Sequence, residues 1–187
     1  RHIKEYLAVR CGMQEIFSYP WMEESYVNAI LQSTDGILAL STPPSPSERF
    51  IRASLLPNLC RAVAKNERYY GDFAIFETAQ VFRDENYTAP YDEREKLPSQ
   101  RKNVAGAFVS AGKDVTGLFR RAKGVVEMMP RYTHMEPYSF RQVSKPVWAD
   151  EVVWLNIYLG EEYIGDLALL SKRVSMAVSY THLTLPT

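Results

Sequence analysis

Residues 52–82 read RASLLPNLCRAVAKNERYYGDFAIFETAQVF, and the change of rhythm inside this stretch sets the fold class. Leu55, Leu56, Leu59, Cys60 and Val63 recur at the spacing that places side chains on one face of an α-helix. Pro57 fits such a helix only in the first turn, where its missing N–H has no partner to lose, and Gly71 lies beyond the end. The spacing predicts a helix over 54–70. From Phe73 to Phe82 the pattern turns β-prone, with Phe73, Ile75, Phe76, Val81 and Phe82, and predicts a strand or strand pair. Glu77 interrupts that apolar run. A carboxylate there must reach solvent or a partner. Alternation puts it on the wet face of a half-covered sheet; the other reading pairs it with a basic group such as Arg52.

Upstream, His2 to Arg10 places Ile3, Leu7 and Val9 on one side of a helix, with Gly12 at the C-terminal cap position. A strand or turn around the aromatic residues 15–19 separates it from a second helix over 23–32. Three prolines and three serines between 41 and 48 predict an irregular surface loop. Downstream, residues 83–102 hold equal numbers of acidic and basic side chains and two prolines, which predicts an exposed connection with no core element. Val104 to Val109 reads as a buried strand. Asp114 caps a helix carrying Val115, Leu118, Phe119, Ala122, Val125, Val126 and Met129, which Pro130 is placed to stop. Tyr138 and Phe140 alternate, and the runs 152–159 and 163–170 flank Gly160-Glu161-Glu162 as a hairpin. Short turns between strands imply antiparallel pairing, so the expectation is an α+β fold, an antiparallel β-sheet flanked by helices.

Composition narrows the function. The 187 residues are 46% hydrophobic, enough for one full core, and 22 basic residues balance 22 acidic ones, so any contact with nucleic acid has to be local. Cys11 and Cys60 stand apart without metal-ligand spacing, and read as buried or free thiols of a reducing, cytoplasmic compartment. No apolar run approaches the roughly 20 residues that span a bilayer. His2, His134 and His182 are scattered, and no glycine-rich phosphate loop is present. Arg120, Arg121 and Lys123 form a basic cluster that reads first as a solvated helix end and second as a phosphate contact. The first residue is Arg1, and a helical pattern begins at once, which predicts a fragment of a longer chain.

Arg52-Ala-Ser-Leu-Leu-Pro-Asn-Leu59 followed by Phe76-Glu77-Thr-Ala-Gln-Val81-Phe82 resembles the paired signature of phenylalanyl-tRNA synthetase beta subunits, R-x-S-L-L-P leading into F-E-I-G-x-V-F. Thr78 and Ala79 replace the usual Ile and Gly. Further stretches match in order: Leu7 through Gly12 and Glu15 to Tyr19; Leu97-Pro98 through Ala105-Gly106; Leu118 to Glu127, with Lys123, Gly124 and Glu127 at the family positions; and the Tyr163 to Leu170 hairpin. The resemblance covers residues 1–174. Residues 175–187 are expected to be an unmatched tail, truncated or foreign.

The resemblance implies a domain with the fold of a class II synthetase catalytic core that does not itself activate phenylalanine. It implies packing against a catalytic alpha subunit in an (αβ)₂ assembly, with ATP and Mg²⁺ used by the alpha subunit and tRNA bound by the whole enzyme. No catalytic residue, cofactor or metal ligand is assigned to this chain. The motif and interface candidates are Arg52, Leu55, Leu56, Pro57, Leu59, Phe76, Glu77, Val81, Phe82, Lys123, Gly124 and Glu127, with surplus apolar surface on the 55–63 helix expected to face the partner. The competing readings are a free-standing class II ligase-like enzyme and a tRNA-binding module.

Overall fold

The computed structural model describes residues 2–88 and 96–180. A short helix α1 (His2–Glu5) runs into a π-helical turn over Tyr6–Arg10. There follow β1 (Gln14–Glu15), β2 (Trp21–Met22), α2 (Glu24–Leu31), β3 (Phe50–Ile51), α3 (Leu56–Asn66), β4 (Asp72–Thr88), β5 (Lys96–Ser110), α4 (Val115–Thr133), β6 (Tyr138–Arg141), β7 (Ala149–Leu159), β8 (Glu162–Leu170) and α5 (Lys172–Tyr180). The strands form a β1-β4-β5 sheet, a β2-β3 pair and a β6-β7-β8 sheet. All pairings are antiparallel except β1 with β4, where Gln14 lies beside Ile75 and Glu15 beside Phe76 in parallel register. The α+β architecture is the expected one; the division into two three-stranded sheets and the parallel edge are not visible in the strand pattern.

Side-chain parity explains what covers β4. Ala74 and Phe76 project into a cluster with Tyr6, Leu7, Met13 and Met129. Ile75, Glu77 and Val81 point the other way and are buried too. A second core joins α2, α3 and α5 through Tyr26, Ile30, Cys60, Ala64, Val174 and Val178. Tyr6 fastens the π turn to α4 by donating its hydroxyl to the Val125 carbonyl at 2.8 Å.

Several local expectations are corrected. The first helix changes pitch at Tyr6, where the Cys11 N–H bonds five residues back to the Tyr6 carbonyl; the wider turn buries Tyr6 and Leu7 and leaves Val9 exposed. The helix expected over 54–70 is shorter, and Ser54 Oγ accepts from the Leu56 N–H at its start. The polar stretch 83–102 is not an irregular connection over its described residues. β4 and β5 continue as a two-stranded ribbon to the pair Thr88 and Lys96, with a register shift between Arg83 and Asn86. Such a ribbon needs ladder hydrogen bonds and no buried face, so its composition resembles that of a loop. Val104 lies in a strand but is not buried, with 39% of its surface exposed. Pro130 sits inside the last turn of α4, which ends only where His134 turns left-handed at φ 58°. Of the expected tail, residues 175–180 belong to α5 and 181–187 lie outside the described residues.

Two expectations hold in detail. Gly160 takes φ 59° in the β7-β8 turn, a conformation that side-chain-bearing residues adopt at a cost. Asp114 caps α4, its carboxylate accepting from the Gly117 N–H at 2.8 Å. Replacing it, Asp114→Ala, is expected to lower stability by about 0.5–2 kcal/mol in urea denaturation. A change below the error of the measurement would mean that solvent satisfies that helix end equally well.

Candidate functional site

Among the described residues a dense buried polar knot is centred on Glu77. Alternation along β4 turns this side chain away from the Phe76 cluster, and the segment preceding β2 closes over it. Its exposure is 2%. The Ser18 N–H donates to Glu77 Oε1 at 2.9 Å, and the Ser18 hydroxyl lies 2.8 Å from both carboxylate oxygens. Arg52 Nη1 donates to Oε1 at 3.3 Å, while its Nε donates to the Gln80 carbonyl at 2.6 Å. Glu77 therefore takes the partner foreseen for it, Arg52; the wet-face reading is overturned because parity fixes which face a residue takes and not what covers that face.

Two contributors were missed in the sequence. Asn58, in the first turn of α3 and 5% exposed, donates to Ser18 Oγ at 3.1 Å and to the carbonyls of Tyr19 and Trp21 at 2.8 and 3.3 Å. Ser18 itself sits at the centre of the knot. The available signal for Asn58 was a polar residue wedged between Pro57 and Leu59 on an apolar helix face; Ser18 gave none. Backbone bonds tie the same pieces together: Ile16 N–H to the Phe76 carbonyl, Arg52 N–H to that of Pro20, and Phe82 N–H to that of Arg52. With its charge paired and three donors on its oxygens, this carboxylate is an anchor.

What the anchor holds is a pair of exposed aromatic rings. Phe17 and Tyr19 flank Ser18 and are 81% and 70% exposed. Tyr19 stacks on Trp21 with centroids 4.6 Å apart and planes 6° from parallel. Lys4, ion-paired to Glu15, places its ammonium 5.4 Å from the centre of the Phe17 ring. Alternate residues of an extended segment thus point inward to the lock and outward to solvent.

The remaining candidates fall elsewhere. Leu55, Pro57 and Leu59 are buried within the chain, Leu56 is half-buried against the α2-α3-α5 core, and Phe76 and Val81 are buried on opposite faces of β4. Phe82 is half-buried beside Arg52. Lys123 and Glu127 pair at 2.8 Å on the surface of α4, where Lys123 also covers the Phe140 ring, and Gly124 has open space above it. Burial pushes the Cys60 thiol up to about 12, so it stays protonated and inert. A shallow cleft of about 310 Å³ on the β6-β7-β8 sheet is lined by Asn156, Tyr158, Tyr163 and Asp166. Its polar floor is already satisfied: Asn156 donates to Asp166 at 2.8 Å, and so does the Tyr163 hydroxyl, at 2.7 Å. Among the described residues no three His, Cys, Asp or Glu side chains converge on a point that could hold a metal ion, and no helix is long and apolar enough to cross a membrane.

A family model described as the phenylalanyl tRNA synthetase beta chain CLM domain matches residues 1–181. The chain is 26% identical over 196 aligned residues to the phenylalanine–tRNA ligase beta subunit of Oceanobacillus iheyensis, covering 94% of this chain and 22% of that protein. It is 27% identical over 77 residues to the corresponding subunit of Solibacter usitatus, covering 41% of this chain and 10% of the relative. The chain thus spans only about a tenth to a fifth of these relatives' own length. Two solved structures of pyrrolysyl-tRNA synthetase from Desulfitobacterium hafniense superpose with TM-scores of 0.63 and 0.64 at 14% identity, over 88% and 87% of this chain and 56% and 55% of theirs. At that identity the likeness carries the fold, that of a class II synthetase.

Proposed function

Because this chain belongs to the phenylalanyl-tRNA synthetase beta chain family, we propose that it serves as the assembly domain of a phenylalanine–tRNA ligase beta subunit, seated against a catalytic alpha subunit in an (αβ)₂ enzyme. In this reading ATP, Mg²⁺ and the activation of phenylalanine belong to the alpha subunit, and tRNA is bound by the whole enzyme. The observation that carries the reading is the rigid display of Phe17 and Tyr19. Large rings are costly to leave in water, and rings fixed by a buried anchor lose little entropy on docking, which is the profile of interface hot spots.

The covering of β4 supports a role without chemistry. Between Ala74 and Glu77 both faces of the strand are filled, one by Tyr6, Leu7, Met13 and Met129 and the other by the polar knot. No substrate can lie on that part of the sheet without displacing core residues. The described residues offer no ligand set for Mg²⁺, and no step through it is assigned to this chain.

The test is co-elution with a co-expressed alpha subunit. Phe17→Asp combined with Tyr19→Asp is expected to weaken association by about 30-fold or more, since losing a hot spot costs about 2 kcal/mol or more, while the melting temperature of the chain stays unchanged. Undiminished co-elution with a folded variant would remove the interface from this segment. ATP-dependent pyrophosphate exchange by the chain alone would instead favour a free-standing ligase-like enzyme.

A further inference from the structure

The β7-β8 hairpin is acidic: from Asp150 to Asp166 the sequence holds five carboxylates and no lysine or arginine. Two of the five are neutralised from the chain before β7. Arg141 donates to both oxygens of Glu161 at 2.9 Å, and Lys145 pairs with Glu151 at 2.6 Å. Asp150 accepts from the Val152 and Val153 N–H groups, and Glu162 is exposed to solvent. Asp166 differs from all of these. It is half-buried, and the partners of its carboxylate are neutral, the Asn156 amide on Oδ1 and the Tyr163 hydroxyl on Oδ2. No lysine or arginine among the described residues lies within ion-pair distance of it. A carboxylate withdrawn from water without a counter-charge is costly.

Asp166 lines the cleft of about 310 Å³, and the cleft is rigidly built. Asn156, 1% exposed, uses every hydrogen-bonding group of its amide: Oδ1 accepts from the Val143 and Ser144 N–H groups at 2.9 Å each, and Nδ2 donates to the Ser144 carbonyl and to Asp166 at 2.8 Å each. Tyr158 and Tyr163 form two walls, their centroids 5.9 Å apart and their planes at 69°. Burial, and then the hydrogen bond to Asp166, push the Tyr163 phenol above its ordinary value, so Tyr163 stays the donor and Asp166 the acceptor. The lining retains acceptors. The Ser144 and Tyr158 hydroxyls have no hydrogen-bond partner among the described residues. Asp166 accepts one bond on each oxygen, about half of what a carboxylate can take.

We infer that this cleft binds a primary alkylammonium ion. An ammonium group is a compact charge with three N–H donors, matching the Asp166 carboxylate and the two free hydroxyls, and it supplies the counter-charge that Asp166 lacks. Its aliphatic stem lies along the tyrosine walls and Pro146, as the stems of lysine side chains lie along apolar surface. An anion is a poor fit, because the cation in the lining, Lys145, is already held by Glu151. The volume stands at the lower end of the about 300–1,000 Å³ of ligand sites, which suits a chain of a few carbons. This chemistry comes from two sources, a free aliphatic amine or a lysine side chain of a polypeptide. The inference rests on the β6-β7-β8 sheet and does not draw on the assembly reading.

n-Butylammonium titrated into the 187-residue chain, followed by nuclear magnetic resonance at the Asn156 side-chain amide, tests it. Saturable binding is expected, and uncharged n-butanol is expected to leave the signal in place. Asp166→Asn should weaken binding by about tenfold or more, the usual worth of hydrogen bonds to a charged group. The substituted amide still accepts from Asn156 and donates to the Tyr163 oxygen, so the hairpin is kept. If its melting transition nevertheless falls, Tyr158→Phe keeps the wall, removes one acceptor and should weaken binding severalfold. Glu5→Gln, an exposed acid of α1, should change nothing. Tighter binding of an acetylated, amidated peptide with a single lysine than of 1,5-diaminopentane assigns the site to a lysine side chain, and the reverse order assigns it to a free amine; either supports the inference. No saturation up to about 10 mM n-butylammonium overturns it. Equal binding of n-butanol, or equal weakening by Asp166→Asn and Glu5→Gln, overturns it as well.

Discussion

Glu77→Ala is expected to remove about 3–5 kcal/mol of folding stability, because it leaves the Arg52 guanidinium buried without its counter-charge. Ser18 loses all three of its carboxylate contacts at the same time, and the Asn58 amide then holds a segment that no longer has an anchor beneath it. Domains of this kind are stable by about 5–15 kcal/mol in total, so the loss is a large fraction of what is available. Urea denaturation of the wild type and the variant measures it directly. Arg52→Met combined with Glu77→Leu is expected to recover part of the loss, since an apolar pair leaves no orphaned charge. A cost below about 1 kcal/mol for Glu77→Ala would mean that water reaches the pair, and the anchoring role would be abandoned.

Leu59→Asp is expected to abolish the folded state. This side chain has no exposed surface, and an unpaired carboxylate in its place has no solvent to turn to. The milder Leu59→Ala is expected to cost about 2–5 kcal/mol through lost apolar contact and the cavity left behind. Circular dichroism during thermal melting reads both. The pair separates two accounts of the α3 helix: a partner-facing leucine would give a folded chain with impaired association, whereas a core leucine removes fold and association together. Normal melting of Leu59→Asp would contradict the burial described for α3.

The parts of this fold that are written locally were legible. The leucine spacing of α3, the Asp114 cap and the Gly160 turn each depend on residues within a few positions of one another. The β4 strand was legible for the same reason, and with it the suspicion that Glu77 needs Arg52. What escaped was non-local. Ser18 reaches Glu77 across 59 positions of chain, and Asn58 reaches Ser18 across 40, so neither leaves a periodic trace. The π turn at Tyr6 shifts the helical phase without a proline or glycine to announce it. The apolar excess on α3 was read as surface for a partner because the sequence does not show that α2 and α5 converge on it. The exposed rings Phe17 and Tyr19 were noticed only as part of a short aromatic stretch, since exposure is decided by the parity of an extended segment whose anchor lies elsewhere.

The seating of Ser18 between two outward rings makes surface and interior thermodynamically linked. A ligand that engages Phe17 and Tyr19 only in their anchored position binds the native state and not the unfolded one, and so raises the free energy of unfolding with its own concentration. At about a hundred times its dissociation constant such a ligand contributes about 2.7 kcal/mol, comparable to the lower end of the loss expected for Glu77→Ala. If the proposed docking takes place, the stability of this chain is set by occupancy as well as by its sequence.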